Sequence, residues 1–337
     1  MSHPAIANAK AKMSAKTSAG AKAFLETFYQ RTPVEDLNQV DPTFLGHAAQ
    51  THYDIAMSRK DGDIVIRQYV TDTIKGLPAG RTVFDVVQND TPFLIDSVVA
   101  EIGRQGHAIQ MLIHPVLHII RDKKGKVTEV MAEPANGTSG QSHMHIQIKG
   151  GLSDAQREEL EMGLSRVLND VRHATRDWQG MCAKLRTAQN ELNRAPKQYD
   201  GLLIREYQEF LEYLLNNFTL LGFREYRFID KKGELVSEIV KGSSLGLLRD
   251  DIPVYINEAR KSLTPPQQKL RRSQEPLTIA KVNKRSTVHR RVPLDAIAVK
   301  TFDTNGHVTG EMLFIGLFTS VTYSRSVEDI PYLRLKI

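Results

Sequence analysis

One cysteine, Cys182, stands in 337 residues, so an internal disulfide is excluded. With no disulfide and no secretory signal, the cytoplasm is the expected compartment. Long apolar runs are missing as well. No stretch approaches the roughly 20 residues a membrane helix needs, so no membrane association is expected. The first 22 residues are rich in Ala, Lys and Ser and nearly free of large apolar groups. They lack the apolar centre of a signal peptide and read as a disordered cap. No GxGxxG follows a strand-like run, and no lysine-bearing phosphate loop occurs. Gly242-Ser243-Ser244-Leu245-Gly246 has the small residues but neither the lysine nor the helix start, and reads as a plain loop. Basic clusters interleaved with aromatics are also lacking, so nucleic acid is not an expected partner. The net charge is +6, and the densest basic run, KVNKRSTVHRR at 281–291, contains no aromatic residue. It reads as a solvated edge, a hairpin or a subunit contact.

What is present is an ordinary water-soluble composition, 41% hydrophobic and 25% charged. At this length the chain is expected to hold two or three compact units. Residues 84–122, FDVVQNDTPFLIDSVVAEIGRQGHAIQMLIHPVLHIIRD, carry the most information. Phe84, Asp85, Val86 and Val87 form a β-rich run. Thr91 is a good N-cap, and Pro92 suits the first helical position. Phe93, Leu94, Ser97, Val98, Glu101 and Ile102 follow at helical spacing, and Gly103 and Gly106 close the helix. Residues 108–120 return as one strand, with a hairpin turn at 122–125. The βαβ half-unit predicts a ferredoxin-like α/β sandwich.

Around it, residues 21–29, 34–37 and 42–58 read as amphipathic helices needing a partner surface, and 64–70 as a strand. That early strand is expected to stand in for the missing last strand of a βαββαβ unit. Residues 127–131 and 143–148 read as strands with a flexible loop at 134–142 between them. Ser153 and Gln156 fit a capping box at the start of a helical stretch running to about 192, weakly broken at Gly163 and Gly180. A further helix is expected at 201–216, with Leu203, Tyr207, Phe210, Leu211, Leu214 and Leu215 as its apolar stripe. Strands follow at 223–229, 235–240, 277–282, 295–302 and 311–320, with an irregular, partly helical stretch at 242–260. The fold class is α+β: an α/β sandwich, a helical linker and a PAS-like antiparallel sheet domain. The boundaries are 1–60 for the cap and leading helices, 61–175 for the sandwich, 176–216 for the linker, 217–325 for the PAS-like domain and 326–337 for a tail.

Several motifs in order resemble a known family. NDTPFLIDSV followed by LIHPVLHIIRD is one. Phe24-Leu25-Glu26-Thr27-Phe28-Tyr29 with Val34-Glu35-Asp36-Leu37 is a second. Asn217-Phe218-Thr219-Leu220-Leu221-Gly222-Phe223-Arg224-Glu225-Tyr226 is a third. Val288-His289-Arg290, Val299-Lys300-Thr301-Phe302-Asp303, Gly310-Glu311 and Gly316-Leu317-Phe318-Thr319-Ser320 complete the set. Together they resemble the amino-terminal region of the large bacterial NAD-specific glutamate dehydrogenases, which carries ACT-like regulatory modules. The resemblance implies an ACT-type sandwich and no catalytic residue or cofactor in this segment. NAD would serve the full-length enzyme, through a catalytic domain later in the same polypeptide. It also implies a homo-oligomer and an amino-acid effector. The final residues, Pro331 to Ile337, break off in mid-pattern, as a segment of a longer chain would.

Modules resembling this one hold amino acids at the first strand-to-helix turn. Asn89, Asp90 and Thr91, with Ala108 and Ile109 at the next strand, are therefore the candidate ligand site. Free N–H groups of a first helical turn suit a carboxylate, and Asp90 suits an ammonium group. The competing reading is that Asp90 and Thr91 only cap the helix. Among the histidines, His143 and His145 share one strand face, and His114 and His118 are four apart. No cysteine or carboxylate pair stands beside them at ligand spacing, so they read as solvent-facing or hydrogen-bonded, and no metal site is expected. Cys182, inside a helical run, reads as structural.

Overall fold

In the computed structural model, residues 3–123, 127–134, 138, 140–231, 234–249 and 273–336 are described. The chain divides into two compact units, 1–168 and 169–337. Both follow an α+β plan with an antiparallel sheet.

The first unit opens with four helices: α1 (Pro4–Lys12), α2 (Ala19–Tyr29), α3 (Val34–Asn38) and α4 (Pro42–Ser58). The expected disordered cap is corrected here. His3 accepts the Ala5 N–H at the start of α1, and Ala5, Ile6 and Ala9 are buried. Small alanines let α1 approach its neighbours closely, so few large apolar groups were needed. Ser18 caps α2 through the Ala21 N–H, and Asp41 caps α4 ahead of Pro42.

The sheet holds β1 (Val65–Val70), β2 (Thr82–Asn89), β3 (Ile109–Ile113), β4 (Val116–Arg121), β5 (Val127–Met131) and β6 (Gly140–Ile148). Its order is β1-β2-β6-β4-β5, with β3 pairing the other half of β6. β1 stands beside β2, antiparallel to it. The single strand expected at 108–120 is broken at His114-Pro115, because proline has no N–H for the ladder. Parts of the expected turn at 122–125 and loop at 134–142 lie outside the described residues.

Both sheet faces are covered. Val83 of β2 joins the core of Phe24, Phe28, Phe44 and Leu45 under the leading helices. Residues two apart share that face, so Asp85 and Val87 point the same way. The other face receives α5 (Leu94–Arg104) and α6 (Asp154–Arg176). Arg157 of α6 reaches Gln68 at 2.7 Å, and Leu152 donates to Thr82 at 2.9 Å. The buried Glu101 carboxylate ties α5 to Arg166 of α6 at 3.2 Å. Ser153 and Gln156 form the expected capping box. Val98, Ile102, Leu160, Leu164 and Leu168 are buried as expected, while Phe93 is only half-buried.

The predicted start of α5 is corrected. Phe93, at φ 73° in the left-handed region, is the residue before Leu94, and no side chain caps the helix. Thr91 and Pro92 lie ahead of this reversal, not on the helix.

The second unit packs α7 (Trp178–Glu191) and α8 (Gly201–Asn217) on a sheet of β7 (Phe218–Lys231), β8 (Glu234–Ile239), β9 (Leu245–Gly246), β10 (Leu277–Arg285), β11 (Pro293–Phe302) and β12 (Val308–Phe318). Its order is β10-β11-β12-β7-β8, with β9 against β7. A short helix, α9 (Ser320–Ser324), follows. The helical linker expected at 176–216 is corrected. Met181, Leu185, Tyr207, Phe210 and Leu214 belong to one core with Phe223, Ile297, Val299 and Phe314. The helical run breaks at Asp177, not at Gly163 or Gly180. The tail packs as well: Ile330 and Tyr332 are in the same core, and Arg334 pairs Glu206 at 2.6 Å. The basic run lies at the edge strand β10, where Lys281 meets Asp295 of β11 at 2.6 Å. Residues 250–272, which include part of the expected irregular stretch, lie outside the described residues.

Candidate functional site

The polar side of β6 points under the leading helices. His143, His145 and Gln147 alternate with Met144, Ile146 and Ile148, and all six are buried. Asp85 of β2 lies directly across the ladder from His145. His145 Nδ1 is 2.6 Å from Asp85 Oδ1, and His52 Nε2, from α4, is 3.2 Å from the same oxygen. His52 Nδ1 is 3.2 Å from His143 Nδ1, and Gln147 Nε2 is 3.3 Å from His145 Nε2. One set of tautomers satisfies all four contacts: His143 donates to His52, His52 and His145 donate to Asp85, and Gln147 donates to His145. Phe28 lies tilted against His52 at 4.8 Å and Phe44 meets His145 edge-on at 5.3 Å, which closes the cluster from water.

The electrostatics follow from that enclosure. Burial alone would raise Asp85, but the His52 and His145 rings overcome it and hold the carboxyl well below its usual range. Burial pushes His52 down, with Asp85 only partly offsetting it, and pushes His143 far down. Tyr69 is raised by burial and by the charge of Asp85. Asp85 Oδ2, His143 Nε2 and the Tyr69 hydroxyl are buried without a hydrogen-bond partner among the described residues. His52, Asp85 and His145 also bring one ligand atom each within 4.8 Å of one another, the one such group among the described residues. His114 and His118 stay apart from it, half-buried on Ser142 and Thr138 at 2.7 and 3.1 Å.

The turn singled out in the sequence is arranged differently from expectation. Asn89 ends β2 and faces Gln141, while Ile109 faces Ile148 at the other end of β6. Seven residues of strand separate the two positions, roughly 20 Å. Asn89, Asp90 and Thr91 therefore do not share a site with Ala108 and Ile109. The reason is α5, which carries the chain back to the start of the sheet before β3 begins. Asn89 is already engaged, accepting from Arg59 and donating to Asp61 at 2.9 Å. The Asp90 N–H goes to Gly140 O at 2.8 Å, and its carboxylate is exposed. Thr91 Oγ1 is buried and unpartnered. Neither Asp90 nor Thr91 caps α5.

A groove of about 460 Å³ opens elsewhere in the first unit, between the α2–α3 connection and β3–β4. Arg31 and Asp36 supply opposite charges on its wall, Leu37, Val40 and Ile113 line its apolar part, and His114 stands at its rim. Arg31 also meets Glu133 at 2.9 Å. In the second unit Cys182 is buried, and that burial raises its thiol pKa, as fits a structural role. The Gly246 N–H is taken by Asp177 at 2.9 Å, so the Gly/Ser loop is tied to a carboxylate.

His52 and Asp85 were missed in the sequence. The only signal for Asp85 was a charged residue in a β-rich run, and for His52 a histidine on an apolar helix face.

Residues 24–164 match the family model described as glutamate dehydrogenase, ACT1 domain. The NAD-specific glutamate dehydrogenase of Halomonas elongata is 30% identical over 328 residues, 95% of this chain and 20% of that protein. The NAD-specific glutamate dehydrogenase of Pseudomonas aeruginosa is 32% identical over 284 residues, 81% of this chain and 17% of that protein. The chain thus spans about a fifth of the length of the relatives it matches. No helix among the described residues is long and apolar enough to cross a membrane. Residues 24–164 thus resemble a glutamate dehydrogenase ACT1 domain, and nearly the whole chain is similar to about a fifth of the length of the NAD-specific glutamate dehydrogenases.

Proposed function

We propose that this chain is the non-catalytic regulatory and assembly segment of an NAD-dependent glutamate dehydrogenase, working in the cytoplasm. The whole enzyme would convert L-glutamate and NAD to 2-oxoglutarate, ammonia and NADH, in a catalytic domain of the same polypeptide. The carrying observation is that relatives bearing that name match nearly all of this chain with only a fifth of their own length. The architecture supports the reading. Every strand pair described is antiparallel, whereas a dinucleotide crevice is built at the carboxyl ends of parallel strands. In the second unit, two strands, an intervening segment and three antiparallel strands support a PAS-like module.

The segment would assemble through its sheet edges. β1 and β5 close the first sheet and β10 and β8 the second, each with one ladder side unpaired among the described residues. The amino-acid effector is better served by the groove than by the Asn89 turn. Arg31 and Asp36 there match the two charges of a zwitterion.

The test follows NADH absorbance with pure chain, glutamate and NAD, and records light scattering of the same sample. Background absorbance and an oligomer are expected. Turnover above background would refute the non-catalytic reading, and a concentration-independent monomer would refute the assembly role. Calorimetry with the twenty amino acids tests the effector. Binding that is lost in Arg31→Ala and Asp36→Ala is expected, and binding unchanged in both would move the site away from the groove.

A further inference from the structure

We propose that His52, Asp85 and His145 form a buried site for one divalent transition-metal ion of the zinc class. Three elements deliver the ligands: helix α4, strand β2 and strand β6, with His52 and His145 33 and 60 residues from Asp85 in sequence. Two imidazoles and a carboxylate are the donor set that suits such an ion. One donor atom from each of His52, His145 and Asp85 lies within 4.8 Å of the other two, so one ion can reach all three. Metal–ligand bonds of about 2.0–2.2 Å place tetrahedral ligands roughly 3.4 Å apart. The 3.2 Å contact of His52 already matches that spacing, and the 2.6 Å contact of His145 needs a small opening.

Charge supports the assignment. Asp85 is fully buried, and its partners among the described residues are imidazoles, with no Lys or Arg in an ion pair. A buried carboxylate without a cation is costly. Its second oxygen, Oδ2, makes no hydrogen bond of ordinary geometry, although the Tyr69 hydroxyl interacts with this carboxylate, and it can bind as the fourth donor. One outer ring can act as a supporting partner of a metal site: His143 Nδ1 lies 3.2 Å from the far nitrogen of His52 and can accept its N–H when the ion is bound. The two ring contacts to Asp85 are the places that protons hold when the ion is away.

The test uses the full chain, purified without a histidine tag, and elemental analysis of zinc, copper, nickel and iron. About one equivalent of a single metal per chain is expected. Chelator-treated protein refolded with Co2+ should show visible ligand-field absorption, displaced by Zn2+. His52→Ala and His145→Ala should lose that equivalent. His143→Ala, which removes a supporting ring, should keep the stoichiometry with affinity lowered about 10–100-fold. The measurements on the unaltered chain need no variant to fold. Metal below background in folded wild-type protein, together with no rise in Tm on adding Zn2+, would overturn the site. So would a full equivalent retained in folded His52→Ala and His145→Ala.

Discussion

His145 Nδ1 donates to Asp85 Oδ1 at 2.6 Å across the β2–β6 ladder, while His52 approaches the same oxygen from the helix above at 3.2 Å. One carboxylate thus satisfies two buried N–H donors and joins the leading helices to the sheet. Asp85→Ala leaves both donors unpaired in an apolar interior. At about 1–3 kcal/mol for each, the loss should be roughly 2–6 kcal/mol of unfolding free energy. Urea melts followed by circular dichroism measure it. A loss below about 1 kcal/mol would mean that the rings find other acceptors.

The same burial makes stability depend on pH. His52, His143, His47 and His114 all have pKa values lowered by burial. In the unfolded chain these rings take up protons below about pH 6.5, while in the folded chain they stay neutral. The unfolded state then binds more protons, so stability falls as pH drops through that window. Each ring contributes at most about 1.4 kcal/mol per pH unit below its unfolded pKa. Asp85 acts in a lower window, since its depressed pKa gives stability that is present above the usual carboxylate range and is lost as pH falls through that range toward the folded value. Urea midpoints should therefore fall between about pH 7.5 and about pH 5.5, and less steeply in His143→Phe. A flat profile would contradict the neutral buried rings.

Local signals were legible and long-range cover was not. The capping box at Ser153 and Gln156 and the stripe of Tyr207, Phe210, Leu211 and Leu214 could be read because their partners lie three or four residues away. His143 and His145 were correctly given one strand face. What lies on that face was not readable, because His52 approaches His143 from 91 residues upstream. An alternating strand normally shows its polar side to water. Here the leading helices turn that side into an interior. The turn at Asn89 failed for two geometric reasons. Phe93 reverses the chain before the helix, which removes Thr91 as a cap, and α5 returns the chain to the far end of β6. The linker and tail join a core because the apolar stripe at 201–216 packs on the second sheet, a partner distant in sequence that the helical spacing alone does not reveal.

Leu164 of α6 is fully buried against the sheet face opposite the histidines. Leu164→Ala removes its side chain from a close-packed layer and should cost about 2–5 kcal/mol. The urea midpoint should fall with an unchanged slope. A near-neutral result would show that this helix face is less tightly packed than the burial implies.

Gly163 sits beside Leu164, where α6 meets α5. A Cβ at this position would strike the Glu101 carboxylate and the Gln105 amide. Glu101 cannot swing away freely, because it is buried and accepts from Arg104 at 2.7 Å, Gln105 at 3.0 Å and Arg166 at 3.2 Å. Alanine in a helix interior would by itself gain about 1 kcal/mol over glycine. Overpacking against a fixed hydrogen-bond cluster costs about 1–3 kcal/mol. The clash should win, and Gly163→Ala should destabilise the chain by up to about 2 kcal/mol net. The double variant with Glu101→Ala separates the causes. Once the carboxylate is gone, Gly163→Ala should become neutral or stabilising. An unchanged penalty in the Glu101→Ala background would place the conflict on the α6 backbone, not on this carboxylate.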